Sequence, residues 1–178
     1  MDGLLIEPEQ PSDHARIAEV VRRAFSSQPG VDVMVAAIRV SPRYRQGLAF
    51  VARADDRVVG FVMISGTDLV GADGSRREVL TLTPLAVAPE YERRGIGSAL
   101  VRAALDEADR RAEQLVVLEG SPQYYDRFGF EAASEYGIDL PLPDWAPPQA
   151  AQVYRLTNYR PDLRGRIEYP PAIAAISQ

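Results

Sequence analysis

Leu85-Ala86-Val87-Ala88-Pro89-Glu90-Tyr91-Glu92-Arg93-Arg94-Gly95-Ile96-Gly97-Ser98-Ala99-Leu100 is the stretch on which the fold turns. An apolar run ends at Val87, a polar loop follows, and a segment rich in Ala and Leu opens at Gly95. The chain therefore passes from a strand into a long helix through a glycine turn. The first N–H groups of a helix have no partner within it and together carry about half a positive charge. Side chains at Gly95 and Gly97 would block the way to those amides, and Arg93 and Arg94 can add charge-assisted bonds, so the turn suits a phosphate.

Three phosphate-binding patterns compete for this turn. A Walker A loop needs Gly-Lys-Ser/Thr after its spacer, whereas Gly97 is followed by Ser98-Ala99, which excludes it. A dinucleotide fingerprint G-x-G-x-x-G gains from Glu119, which ends the next strand where a ribose-binding acid would stand. Against it, Leu100 occupies the third glycine position and the first glycine lies several residues beyond the strand. The third pattern is Gln/Arg-x-x-Gly-x-Gly/Ala at a strand-to-helix junction, and Glu92-Arg93-Arg94-Gly95-Ile96-Gly97 resembles it, with Glu92 in the first position. That pattern is the acyl-CoA loop of the GNAT superfamily of N-acetyltransferases. In the family the backbone amides corresponding to Arg93, Arg94, Gly95, Ile96, Gly97 and Ser98 cradle the cofactor's pyrophosphate.

Two further segments carry the resemblance. Thr83-Pro84-Leu85-Ala86-Val87-Ala88-Pro89 is similar to the family's strand before the loop, which splays from its neighbour and offers backbone groups around Leu85, Ala86 and Val87 to the pantetheine arm, much as to an added strand. A proline cannot donate to a ladder, so Pro84 is expected at a bulge or where its strand is unpaired on one side. Tyr124-Tyr125-Asp126-Arg127-Phe128-Gly129-Phe130 resembles the family's Y-x-x-x-G-F signature, one helix and one strand downstream. The start Ile6-Glu7-Pro8, the segment Gly120-Ser121-Pro122-Gln123-Tyr124-Tyr125 and the end Arg166-Ile167-Glu168-Tyr169-Pro170-Pro171 extend the similarity to a YhbS-like subgroup over most of the chain.

Working outward, Ile17, Val20, Val21, Ala24 and Phe25 form one helical stripe that Ser12 or Asp13 could cap, and a shorter helix is expected over Asp32–Val40. Leu48–Ala54 and Arg57–Ser65, parted by Asp55-Asp56, read as a hairpin. A loop Gly66–Arg77 and a strand Glu78–Val87 follow, then the helix Gly95–Glu113 and a buried strand Leu115–Leu118. Pro122 opens a short helix ending near Phe128, and another strand follows Gly129-Phe130. The proline-rich loop Pro141–Pro148 and a last strand Val153–Leu156 precede the tail. The expected fold is mixed α/β (α+β): one GNAT-type domain over 1–178, with a central mixed sheet, splayed middle strands and flanking helices. Its core covers 4–133, and 134–178 hold the proline-rich loop, last strand and tail.

Composition narrows the chemistry. At 178 residues and 46% hydrophobic content the chain can bury one sizeable core. A net charge of −5 with both signs interspersed offers no basic stripe for nucleic acid. No apolar run is long enough to cross a bilayer and the N-terminus has no signal-peptide pattern, so a cytoplasmic protein without a membrane partner is expected. With no Cys and one His, neither thiolate catalysis nor a Cys/His metal site is available, and Ser-His-Asp catalysis would need His14, which reads as a surface residue of the first helix.

The resemblance implies acetyl-CoA as co-substrate, a primary amine of a small molecule or peptide as acceptor, and a homodimer as a common assembly; with no Cys to form an acetyl-enzyme, direct attack in a ternary complex is expected. Tyr125 matches the family's proton donor to the departing sulfur, and Tyr124 reads as a core residue. Some members carry a basic glutamate mid-strand where this chain has Leu80-Thr81-Leu82. Glu119 and Glu78 are the substitutes, and deprotonation through water is equally compatible. Acceptor choice would rest with the first helices and the Gly66–Arg77 and Pro141–Pro148 loops, where Trp145 reads as a packing anchor. A non-catalytic acyl-CoA-binding module and a nucleotide-binding oxidoreductase are the rival classes.

Overall fold

The computed structural model describes residues 3–176. Its elements run β1 (Leu5–Pro8), α1 (His14–Ala24), α2 (Val31–Arg39), β2 (Ala49–Ala54), β3 (Arg57–Val70), β4 (Arg76–Val87), α3 (Ile96–Arg110), β5 (Leu115–Glu119), α4 (Pro122–Tyr125), β6 (Glu131–Ala132), β7 (Ile138–Asp139), β8 (Ala151–Arg155), β9 (Gly165–Glu168) and α5 (Pro171–Ala174), with short 3-10 turns between. Among the described residues nine strands form one mixed sheet in the order β1-β2-β3-β4-β5-β8-β6, and β9 pairs with both β3 and β7. This is the mixed α/β architecture expected from the sequence. No helix among the described residues is long and apolar enough to cross a membrane.

The chain divides into two compact units, one holding residues up to Ser65 with Thr83–Glu107, the other Gly66–Leu82 with Ala108 onward. In the first, β1, β2 and the start of β3 pair antiparallel, Ile6 opposite Ala52 and Val51 opposite Phe61. The α1 stripe buries Ile17, Val20 and Val21 completely, each contributing about 1.5–3 kcal/mol of apolar burial. Asp13 does not cap α1 with its side chain. It accepts the Gln10 N–H at 2.9 Å and pairs with Arg53 at 2.6 Å, which draws the carboxylate away from the helix end. His14 has a half-exposed side chain 4.0 Å from Glu9, whose carboxylate is already held by Arg39 and Tyr44.

In the second unit, β4 and β5 pair in parallel through Leu80↔Val116 and Thr81↔Val117. Pro84 lies three residues past that register. β5 and β8 are antiparallel from Leu115↔Arg155 to Glu119↔Ala151. Leu69, Val79, Leu115, Val117, Val153 and Ile167 are buried together beside them.

Four expectations are corrected. Most of the supposed loop Gly66–Arg77 is strand, because β3 continues to Val70 and the connection shrinks to Gly71–Ser75, closed by the Gly71 N–H to Ser75 carbonyl bond of 2.8 Å. Val153–Leu156 does not contain the last strand: β9 follows and adds to β3 through Asp68↔Glu168, Leu69↔Ile167 and Val70↔Arg166. Trp145 packs against little, its side chain being 85% exposed. The helix expected over Gly95–Glu113 stops at Arg110, with Ala112 in the left-handed region at φ 60°.

Candidate active site

In the first unit the candidate anion site forms where β4 hands over to α3. The Ala88 N–H donates to the Val59 carbonyl at 2.8 Å, tying the end of β4 to β3. A 3-10 turn over Pro89–Tyr91 and an irregular stretch through Gly95 lead into the helix. Arg23 of α1 grips Glu90 of that turn with two bonds of 3.0 and 2.7 Å. The Ala99 N–H donates to the Gly95 carbonyl at 3.0 Å, and the amides of Ile96, Gly97 and Ser98 precede that bond at the open end of α3. Gly95 has φ +81°, and a Cβ there would meet nothing within 4 Å. The glycine thus serves the backbone conformation and leaves the approach to the amides open. Arg93 and Arg94 are exposed, Arg93 at φ 58° and Arg94 with its guanidinium 5.3 Å from the Tyr91 ring centroid. Backbone N–H groups at a helix start, with two exposed arginines just before them in the chain, are the kinds of donor a diphosphate takes.

What seats that helix end is a residue outside every motif. A Cβ on Gly60 of β3 would lie 3.0 Å from Ile96 Cγ2 and 3.0 Å from Leu100 Cδ1. Ile96 and Leu100, both fully buried, can therefore rest directly on the strand. An isolated glycine within a strand pattern is the signal that reports such a close approach. Along β4, Ala86 is buried, while Leu85 and Val87 are half-buried.

In the second unit, Tyr125 packs on Gly120, the residue that follows Glu119. The ring of Tyr125 meets Phe130 edge-on at 5.6 Å and Tyr124 at 4.9 Å between centroids. Burial pushes its phenol above the ordinary tyrosine value, so the hydroxyl holds its proton. Tyr124 is half-buried as well, with the Arg127 guanidinium 4.7 Å over its ring. Gly120 is clamped by two bonds: its N–H donates to the Ala150 carbonyl at 3.0 Å, and its carbonyl accepts from Gln152 Nε2 at 2.9 Å.

Glu119 closes β5 with its carboxyl turned into protein. Its Oε1 is buried and without a hydrogen-bond partner, and the Tyr169 hydroxyl bonds to the carboxyl. Burial raises its pKa, while the Tyr169 bond acts in the opposite sense. Tyr169 is also bonded to Thr81 of β4, a fully buried residue. Glu78, the other candidate base, is exposed on β4, so of the two only Glu119 stands in a desolvated setting. The relation of Tyr169 and Thr81 to Glu119 is carried by no motif, because it arises only when β9 returns to the sheet.

Comparison with known proteins identifies the family. Residues 6–133 match the family profile described as acetyltransferase (GNAT) domain. The chain is 32% identical over 168 residues to the uncharacterized N-acetyltransferase YhbS of Escherichia coli K12, covering 93% of this chain and 96% of the relative. Among solved structures, YhbS from Escherichia coli in complex with CoA superposes with a TM-score of 0.85 at 29% identity, over 97% of this chain and 92% of that one. A GNAT family acetyltransferase from Brucella melitensis in complex with acetyl-CoA superposes with a TM-score of 0.77 at 25% identity, over 97% and 99%. A family match across most of the chain, and relatives alike from end to end, place it: it belongs to the GNAT acetyltransferase family and is an N-acetyltransferase.

Proposed function

We propose that the whole chain, 1–178, works as one acetyltransferase domain that moves the acetyl group of acetyl-CoA to a primary amine of a small molecule or peptide by direct attack in a ternary complex. The observation that carries the reading is the helix start at Gly95, with φ +81° and open space where its side chain would stand. Solved relatives from Escherichia coli and Brucella melitensis hold CoA and acetyl-CoA, which supports the same ligand here. In this reading the amides of Arg93–Ser98, with the guanidinium groups of Arg93 and Arg94, bind the diphosphate, and the backbone of Leu85, Ala86 and Val87 guides the pantetheine arm.

Acetyl-CoA supplies an acetyl group already activated as a thioester. Glu119 takes the proton released as the amine nitrogen forms its bond to the carbonyl carbon. Tyr125 gives its phenolic proton to the sulfur as the carbon–sulfur bond breaks, and both groups exchange back with solvent. The surroundings that keep Tyr125 protonated also make a departing thiolate more basic than it is in water, which favours the transfer. Burial raises the Glu119 pKa, so its carboxylate is a stronger base than an exposed one. Cytoplasm is the proposed compartment, since a charged thioester cofactor does not pass a bilayer unaided.

The test is a panel of primary amines (polyamines, aminoglycosides, lysine-containing peptides and free peptide N-termini) incubated with acetyl-CoA, with thiol release followed against enzyme-free controls. Amine-dependent release is expected, with the acetylated amine visible by mass spectrometry. Titration of the protein with acetyl-CoA that gives no heat and no thermal shift would sink the reading at its first step.

A further inference from the structure

The last turn of chain before α5 carries a residue that the function has not yet absorbed. Tyr169 follows β9 directly, and β9 is anchored by its antiparallel register with β3 and its parallel register with β7, Ile138↔Gly165 and Asp139↔Arg166. The backbone thus delivers the phenol to the end of β5 from a strand fifty positions further along the chain. There it joins Thr81 and Glu119 in a chain of hydrogen bonds. The Thr81 hydroxyl donates to the Tyr169 oxygen, and the Tyr169 hydroxyl donates to the Glu119 carboxyl. Thr81 is fixed by its own strand pairing, opposite Val117. Glu119 is fixed opposite Ala151.

A carboxyl held in this manner is asymmetric. One side is occupied by the Tyr169 phenol, whose pKa is pushed up by burial and by the adjacent Glu119. The other side is Oε1, buried and without a partner. A buried acceptor left unbonded costs about 1–3 kcal/mol, which is tolerated where the open lone pair has work to do. Beside Glu119 in the chain, Gly120 is engaged on both sides, its carbonyl accepting from Gln152 Nε2 and its N–H donating to the Ala150 carbonyl. The Tyr125 ring covers Gly120 from α4. Besides burial, Tyr169 is the group that acts on the ionisation of Glu119.

We infer that Tyr169 is the positioning residue of the base: with Thr81 behind it, its hydroxyl holds the Glu119 carboxylate in one rotamer and presents Oε1 to the proton of the acceptor amine. This rests on Glu119 being the base in the proposed function. It assigns a role in the reaction to the C-terminal strand, which lies outside the 6–133 span of the family match.

The experiment compares the pH dependence of kcat in the wild-type chain, Tyr169→Phe, Thr81→Val and Glu119→Gln. Turnover is read as thiol release from acetyl-CoA with the amine that reacts fastest in the panel above. In parallel, the Glu119 carboxyl carbon is titrated by NMR in the protein without ligand, after labelling glutamate with carbon-13 and assigning the signal by its loss in Glu119→Gln. A phenol that donates to the carboxylate favours the charged form, so its removal should move the carbon titration to higher pH. The acid limb of the rate profile should move with it, kcat at neutral pH falling about tenfold and KM for acetyl-CoA changing less than about twofold. Thr81→Val should move both in the same direction by less, and it decides the matter should Tyr169→Phe fail to fold. A rate profile and a carbon titration that superimpose on the wild type in both variants overturn the proposal. A Glu119→Gln enzyme with wild-type rate and acid limb removes the base itself and the proposal with it, a failure told apart by which variant is silent.

Discussion

The ring of Tyr125 lies so close over Gly120 that a Cβ on residue 120 would stand 2.6 Å from Cε2 and 3.0 Å from Cδ2 of the tyrosine. The ring cannot give way easily, being boxed by Phe130, Tyr124 and Phe128. Gly120→Ala should therefore displace the phenol while costing about 1–3 kcal/mol of stability, the usual range for overpacking. Turnover is expected to fall at least about tenfold. Adding Tyr125→Phe to that variant should cost much less than it does alone, since the hydroxyl is already misplaced. Thiol-release kinetics and urea denaturation on the four proteins of the cycle measure both effects.

Tyr125→Phe by itself keeps the ring and its edge contacts and removes only the proton. Turnover should drop about a hundredfold, within the range for loss of a general acid, with the Kd for acetyl-CoA changed less than about twofold by calorimetry. Unchanged turnover would take Tyr125 out of the mechanism.

At the helix end, Gly97→Asp and Gly95→Glu place a carboxylate where a diphosphate is to be bound. Both should weaken acetyl-CoA binding more than about tenfold, at least 1.4 kcal/mol, with the melting transition still cooperative. Gly95→Ala separates charge from backbone effects. It meets open space but inherits φ +81°, so it should lose about 1 kcal/mol of stability and keep most of its affinity. Equal affinity in all three variants would contradict the pyrophosphate assignment.

Gly165 bears on stability more directly than any other glycine in the tail. With φ +141°, an added Cβ would lie 2.1 Å from the Val70 carbonyl oxygen and 2.7 Å from its carbon, backbone atoms that cannot swing aside. Gly165→Ala should detach β9 from β3 or destabilise the chain by more than about 3 kcal/mol. Amide hydrogen exchange would report it as lost protection at Arg166–Glu168, with α1 and α2 unaffected.

Much of this molecule could be read before any coordinates. The strand, loop and helix around Gly95 were legible because glycine and helix-start chemistry are local, and the Y-x-x-x-G-F segment because its spacing is short. The extent of β3 was not legible: Gly66-Thr67-Asp68 looks like a loop, yet pairing with a strand a hundred residues away makes it sheet. Tertiary pairing overrides local propensity there. Trp145 misleads for the opposite reason, since an aromatic ring among prolines suggests packing and this one faces outward. Glu119 could be named as a candidate, but its unsatisfied oxygen and its phenolic partner depend on three strands meeting. Gly60, which seats α3, gave only the faint signal of a lone glycine in a strand.

The returning strand β9 also governs how the protein behaves once trimmed. A recombinant version cut back to the family-matched region would leave the Asp68–Val70 edge of β3 bare, with Leu69, now almost fully covered, turned toward water. Unpaired amides and carbonyls beside an apolar side chain are a template for another molecule's strand. Such a truncation should therefore clump on expression, and shortened versions meant for crystallisation or assay need to keep the chain at least through Glu168.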